Sequence, residues 1–128
     1  MKTRAIAAEG APKAAGGYAQ AFEVIGAQRI LFISGQIPEA PDGRLPEGFR
    51  EQCLQVWDNI KAQLKAADMS LANLAKVTIF LSDRQHALEN REIRNSVLGD
   101  LTPALTVIIA DIFDEKWLLE VEAIAVGD

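Results

Sequence analysis

The stretch LLEVEAIAV, residues 118–126, is an apolar run that carries two acidic residues, Glu120 and Glu122. Alternate side chains of a β-strand share a face, so a strand here places both carboxylates together. The side chains on the opposite face of the strand are small and apolar, which suits packing under helices: Leu119, Val121, Ala123 and Ala125. The acidic face, which also carries Leu118, Ile124 and Val126, is too apolar for open solvent and too acidic for a dry core. We therefore expect this face to be partly buried against another subunit, with the carboxylates in a wet crevice.

The patterns on either side of this strand predict the remaining elements. Period-two apolar runs predict further strands over residues 21–25, 29–37, 74–82 and 104–113, with the last strand over residues 117–126. Apolar residues at steps of three and four predict a helix from Phe49 to Met69, and Asp83 and Gly99 delimit a weaker helix over residues 84–97.

The order strand, strand, helix, strand, helix, strand, strand predicts an α+β sandwich with helices on one face of a mixed sheet. The first two strands, 21–25 and 29–37, are expected to form a hairpin through Gly26-Ala27-Gln28. The Ala-, Gly- and Pro-rich segment that ends at Gly16-Gly17 is expected to be an irregular lead-in. A length of 128 residues fits one domain over the whole chain.

Composition argues against several functional classes. The chain has a net charge of −5 and no Lys/Arg run, which disfavours nucleic-acid binding. It has no apolar stretch near the ~20 residues of a membrane span, and the N-terminus lacks the apolar core of a secretory signal. A cytoplasmic location is therefore expected. The only cysteine, Cys53, and the only histidine, His86, suggest no zinc or haem cluster, so we expect no metal and no cofactor.

Three segments together resemble a known family: GGYAQAF (residues 16–22), ISGQIP (residues 33–38) and LEVEAIAV (residues 119–126). They resemble the YjgF/YER057c/UK114 family, also called the RidA family of imine deaminases, and the resemblance extends over nearly the whole chain. It implies a chorismate-mutase-like α+β subunit. It also implies a homotrimer whose sheets line a central barrel, with three ligand clefts between subunits.

The resemblance also implies roles for individual residues. In the best-known branch of the family, a glutamate on the last strand positions the water that hydrolyses an enamine or imine, and Glu120 matches it. The resemblance implies that the remaining matches surround the substrate: Tyr18 borders the cleft, Ser34, Gly35 and Gln36 shape its floor, and Asn90 corresponds to a cleft asparagine at the start of the family's second helix.

One residue of that branch is missing. An arginine after the proline of the fourth strand clamps a substrate carboxylate there, whereas TPALTV places Leu105 at the matching position. Val107 stands where a cysteine is common, although its backbone can still serve a ligand. A guanidinium offers five donors and leucine offers none. The arginines near the second helix are candidates to reach the cleft from a neighbouring subunit: Arg84, Arg91 and Arg94.

The sequence favours a hydrolase with imine or enamine deaminase-type chemistry, whose small substrate is bound by shape and apolar contact. The alternative is a trimer that holds a small metabolite in the same cleft without chemistry. For Glu120 itself, the alternative is a structural role in which it hydrogen-bonds the backbone or an arginine across the interface. Ribonuclease activity, which has been attached to relatives, is disfavoured by the acidic charge balance and by the lack of a histidine pair. The expected partners are a small-molecule ligand and further copies of the chain.

Overall fold

The computed structural model describes residues 1–128 and contains six strands, two α-helices and two short 3-10 helices, Leu71–Asn73 and Arg84–His86. The strands are β1 (Lys2–Ile6), β2 (Ala21–Ile25), β3 (Arg29–Gln36), β4 (Leu74–Leu81), β5 (Ala104–Ile109) and β6 (Leu119–Gly127). The helices are α1 (Phe49–Ala66) and α2 (Ala87–Leu98). Neither helix is both long and apolar enough to span a bilayer.

Four strands form a mixed sheet in the order β3-β6-β4-β5. Strand β6 runs antiparallel to both neighbours, whereas β4 and β5 are parallel. Across β6 and β4, Leu119 is paired with Leu81 and Val121 with Ile79, and all four side chains are fully buried. The predicted mixed sheet is confirmed, and so is the prediction that the small apolar set of β6 faces the core.

Helix α1 covers that apolar face and supplies much of the core. Its buried stripe follows the predicted spacing of three and four residues: Phe49, Cys53, Val56, Ile60 and Leu64. Burial raises the pKa of the Cys53 thiol to about 12, with a further contribution from Glu89, so the thiol stays protonated and unreactive. The α+β arrangement with helices on one face of the sheet is therefore present in the single chain.

Helix α1 ends before the predicted Met69. The amides of Asp68 and Met69 donate to the carbonyls of Lys65 and Leu64, at 3.0 and 2.9 Å. Asp68 has a φ of 56°, so these bonds form a Schellman-type ending that reverses the chain. The apolar spacing that predicted a helix to Met69 extends past the end of the helix, because Met69 lies after the reversal and folds back into the core, where it is 9% exposed.

Two predictions about the N-terminal third of the chain are wrong. The expected irregular lead-in contains β1, and β2 is paired with β1 rather than forming a hairpin with β3. Strand β3 is paired with β6, which places Ile33 in the core opposite Ala123. Strand β1 escaped prediction because all of its residues except Ile6 are exposed, so its sequence carries little apolar alternation.

Candidate functional site

The residues predicted for the site lie on both faces of the four-stranded sheet, and not on one. Paired residues on adjacent strands point to the same side of a sheet. Leu105 is paired with the buried Val77, so it points to the helix side. Glu120 is paired with Phe80, which in turn is opposite Ile108, so Glu120 points away from the helices. We call this second side the open face; it carries Glu120, Glu122, Phe80, Thr78, Phe32, Ile30 and Ile108.

A pocket of about 260 Å³ lies on the helix side, beside β5 and α2. We call it the edge pocket; its lining consists of Ala15, Gly16, Tyr18, Arg91, Arg94, Leu105 and Val107. Three predicted site residues, Tyr18, Leu105 and Val107, are therefore brought together within one chain. Leu105 and Val107 form an apolar wall on β5, and α2 forms a cationic wall opposite.

The segment that carries Tyr18 is fixed to both walls. The amide of Ala19 donates to the carbonyl of Pro103 at 3.1 Å, at the start of β5. Gly17 has a φ of 76°, and a Cβ there would lie 3.2 Å from Cγ of Asn95 on α2. Only glycine satisfies both the left-handed conformation and this close approach. The Gly-Gly pair therefore lets the chain cross α2 closely enough to place Tyr18 in the pocket.

Arg94 is the most unusual side chain of the pocket. It is only 4% exposed, and its guanidinium carbon lies 5.9 Å from the centre of the Tyr18 ring. Its Nε has no hydrogen-bond partner, and its Nη2 donates only a long bond of 3.4 Å to Asn95 Oδ1. Burial, together with the nearby positive charge of Arg91, lowers the pKa of Arg94. No salt bridge neutralises it, because the two in the chain join Met1 to Asp128 and Arg4 to Glu23.

The other two arginines proposed for the cleft differ in position. Arg91 is exposed, lies one helical turn before Arg94, and donates from Nη2 to the carbonyl of Ala15 at 3.0 Å. Arg84 lies in an exposed turn before α2 and does not line the edge pocket. Arg91 and Arg94 therefore line the edge pocket of their own chain, and Arg84 does not.

Asn90 lies on the buried side of α2, one turn before Arg94. It is 2% exposed, its Oδ1 has no hydrogen-bond partner, and it is not part of the pocket lining. The unpaired oxygen is a further polar group of α2 that the single chain leaves unsatisfied.

Glu120 occupies the open face, half-buried against the end of β3. Its carboxylate lies over Gly35, where an added Cβ would come within 2.8 Å of the Glu120 Cδ. The register between β3 and β6 shifts between Ile33 and Gln36, which marks a bulge at this point. Glu120 forms no salt bridge in the chain. A bulged glycine thus makes room for an unpaired carboxylate.

The remaining predicted residues lie near Glu120 but in separate hollows. Ser34 lines a hollow of about 260 Å³ on the open face with Phe32, Lys76 and Glu122. Gln36 lines another hollow beside α1, donating to the Ser34 carbonyl at 2.9 Å and accepting from Gln63 at 3.3 Å. Within one chain, the Ser34-Gly35-Gln36 segment is grouped with Glu120 and not with the edge pocket.

The burial of Arg94 was the feature that sequence reasoning missed. The signal was present, since the buried residues Asn90, Ile93, Arg94 and Leu98 follow helical spacing. An arginine on the apolar stripe of a helix indicates either a buried ion pair or a ligand site.

A family model described as Endoribonuclease L-PSP matches residues 8–127. The chain belongs to the Endoribonuclease L-PSP family. This is the YjgF/RidA family that the three sequence segments resemble, so that prediction is confirmed.

Individual proteins of the L-PSP family are also similar to this chain in sequence and in structure. A RutC family protein of Pyrococcus horikoshii is 39% identical over 122 residues, which cover 94% of each chain. The 2-iminobutanoate/2-iminopropanoate deaminase of Escherichia coli is 35% identical over 82 residues, 63% of this chain and 62% of the deaminase. The crystal structure of RidA from an Antarctic Psychrobacter species is 31% identical, with a TM-score of 0.73 over 96% of this chain and 98% of that one.

Proposed function

We propose that this L-PSP family member hydrolyses small imines or enamines and releases ammonia in a cleft between subunits of a homotrimer. The observation that carries the proposal is the separation of the edge pocket and Glu120 onto opposite faces of one sheet. A cleft that contains both requires two chains, one supplying the edge pocket and the other supplying Glu120 from its open face.

The exposed apolar residues of the open face support self-association. Phe32 is 75% exposed and Ile30 is 60% exposed, and Ile108 on β5 faces the same side. An apolar surface of this kind is typical of a face that is covered in an assembly. A trimer built on this face places the sheets inward, as the family resemblance implies.

The proposed reaction needs a water molecule and one group that moves a proton. The Glu120 carboxylate accepts a proton from water as the water oxygen forms a bond to the imine carbon. Glu120 then delivers that proton to nitrogen, which gives a carbinolamine. The proton of the new hydroxyl group passes through Glu120 to the same nitrogen as the carbon–nitrogen bond breaks, and ammonia and a carbonyl compound leave. Because Glu120 forms no salt bridge in the chain, its carboxylate is free for this role.

The edge pocket supplies one wall of the proposed cleft. Its volume of about 260 Å³, just below the usual ~300–1,000 Å³ of ligand sites, suits a small substrate. Leu105 and Val107 offer apolar contact where the best-known branch has an arginine and a cysteine. The deaminase of Escherichia coli, by its name, acts on 2-iminobutanoate and 2-iminopropanoate, which are of this size.

Ammonia release tests the proposal. 2-Iminobutanoate and 2-iminopropanoate, generated in situ by an amino-acid oxidase, are supplied to the wild type and to Glu120→Gln. Loss of a positioned proton-transfer group is expected to lower the rate by about 10²- to 10⁴-fold. Glu122→Gln, on the same strand and face, is the matched control and should keep the wild-type rate. Equal rates for the wild type and Glu120→Gln remove Glu120 from the mechanism.

A metabolite-binding trimer without chemistry is the second candidate function. Leu105 favours it, because leucine cannot replace the donors of the arginine that clamps substrate in the best-known branch. A ligand that is recovered intact from the purified trimer, with no turnover of either imine, supports this alternative.

A further inference from the structure

The edge pocket contains a buried cation without a counter-ion. Arg94 is 4% exposed, and its Nε donor has no acceptor in the chain. The carboxylates of the chain form salt bridges only with Met1 and Arg4, both remote in sequence from α2. A buried charge is among the costliest groups to leave unpaired, and retaining one calls for an anion from outside the chain.

The surroundings of Arg94 select the kind of anion. The guanidinium fork matches the two oxygens of a carboxylate, with which it forms paired hydrogen bonds. The pocket has a volume of about 260 Å³, which suits a small molecule, and its other wall, Leu105 and Val107, is apolar. A short-chain organic acid satisfies both walls, whereas inorganic phosphate leaves the apolar wall unused.

Two residues beside Arg94 support anion binding: Arg91 adds positive charge, and Tyr18 helps to orient the Arg94 guanidinium and the ligand. Arg91 lines the same pocket and is held by the carbonyl of Ala15. The Tyr18 hydroxyl accepts a bond from the Ala15 amide at 3.2 Å, which leaves its own hydrogen available to a ligand. Tyr18 also places its ring beside the Arg94 guanidinium, which keeps that group in position.

We propose that Arg94 determines the specificity of the edge pocket by binding the carboxylate of a small 2-imino or 2-oxo acid. The inference rests on the proposed function for the chemistry that follows binding. A helix arginine thus takes over the task of the strand arginine whose position Leu105 occupies. The acid end of the ligand is bound at α2, and its reacting carbon points to Glu120 of the adjoining subunit.

The experiment compares an acid with its neutral isostere. Binding of 2-oxobutanoate and of 2-oxobutanamide is measured by calorimetry on the intact assembly at neutral pH. The wild type should bind the acid at least about 30-fold more tightly than the amide, the effect of losing a buried charged hydrogen-bond partner. Arg94→Met should abolish that preference, and Arg94→Lys should keep only part of it because it lacks the fork. Arg44→Met, which removes an exposed arginine of a loop, is the matched control and should keep the preference for the acid over the amide.

Stability separates a ligand-binding role from a structural one. An unpaired buried cation destabilises the empty protein, so Arg94→Met should melt at the same temperature as the wild type or higher. If Arg94 instead pairs with an acid of a neighbouring subunit, Arg94→Met will melt lower or dissociate, and the proposal fails. The proposal also fails if the wild type binds acid and amide equally or binds inorganic phosphate more tightly than the acid. An unchanged acid preference in Arg94→Met likewise overturns it.

The two proposals fail in different ways. Acid preference that depends on Arg94, without ammonia release from any imine, supports the anion site and removes the deaminase function. Ammonia release that depends on Glu120, with an acid preference that ignores Arg94, supports the deaminase and removes the anion site.

Discussion

The helix side and the open face of the sheet each hold a charge that the single chain leaves unpaired. On the helix side the charge is the guanidinium of Arg94, which is almost fully buried. On the open face it is the carboxylate of Glu120, half-buried over Gly35. In the surface pair Arg4–Glu23, by contrast, Arg4 Nε lies 2.9 Å from Glu23 Oε1, although the Arg4 side chain is well exposed and that of Glu23 is partly exposed. The comparison shows that the chain pairs charges at its surface and leaves unpaired the two that are buried or half-buried, which are the two that we propose to serve a ligand.

Disrupting the open face should have the largest effect. Phe32→Glu places a charge in the centre of the apolar surface, where a neighbouring subunit is expected to bury it. We expect the proposed trimer to dissociate and ammonia release to be lost, as measured by light scattering and by the imine assay. Leu88→Glu, at an exposed apolar position on α2, is the control and should remain trimeric. A Phe32→Glu trimer of normal mass would show that the open face is not the interface.

Mixing two inactive variants should restore part of the activity. Glu120→Gln removes the proton-transfer group of the open face, and Leu105→Trp fills the edge pocket. In trimers reassembled from equal amounts, about one quarter of the clefts receive an intact pocket from one chain and an intact Glu120 from another. The measurement is the ammonia rate after joint unfolding and refolding, with each variant refolded alone as the control. No recovery above those controls would place both residues in a cleft of one chain.

Adding a single methyl group beneath Glu120 should have an intermediate effect. Gly35→Ala introduces a Cβ within 2.8 Å of the Glu120 Cδ, so the carboxylate must move. A displacement of about 1 Å in a catalytic group lowers the rate by roughly 10²-fold. Gly10→Ala, where nothing lies within 4 Å of the added Cβ, is the control. Circular dichroism melting curves check that both variants fold, and a wild-type rate for Gly35→Ala would mean that the position of Glu120 is unimportant.

Breaking the exposed ion pair should have the smallest effect. Glu23→Gln removes the partner of Arg4 on the β1–β2 ladder, where the two residues are directly opposite. Exposed pairs contribute about 0.2–1 kcal/mol, so urea denaturation should show a loss of at most ~1 kcal/mol. A loss of several kcal/mol would contradict the view that paired surface charges matter little in this molecule.

Sequence reasoning succeeded where periodicity is enforced by burial. Strand β6 alternates between core and open face, and α1 keeps its apolar stripe, so both are readable from spacing alone. The sequence also places Glu120 and Glu122 on one face, and the register with Phe80 and Thr78 agrees.

Prediction from the sequence failed where strand pairing and side-chain contacts join segments that are far apart in the chain. The exposed strand β1 has no apolar period, and the choice of β6 over β2 as the partner of β3 follows from the core that only the folded chain creates. The grouping of Arg94 with Tyr18 and Leu105 likewise joins three segments that no local pattern connects. Tertiary packing decides such groupings, and the linear spacing does not encode them.

Strand β5 forms the border of the sheet, and beyond its first residue, which bridges to Ala19, no strand continues on its outer side. Val107, Ile108 and Ile109 along it are each more than a third exposed. An unprotected apolar border of this kind is a template for unwanted strand addition. In the assembly that we propose, chains that have not yet met a partner expose this border and are the most prone to aggregate. Refolding in the cold, where apolar association weakens, should therefore raise the yield of active protein.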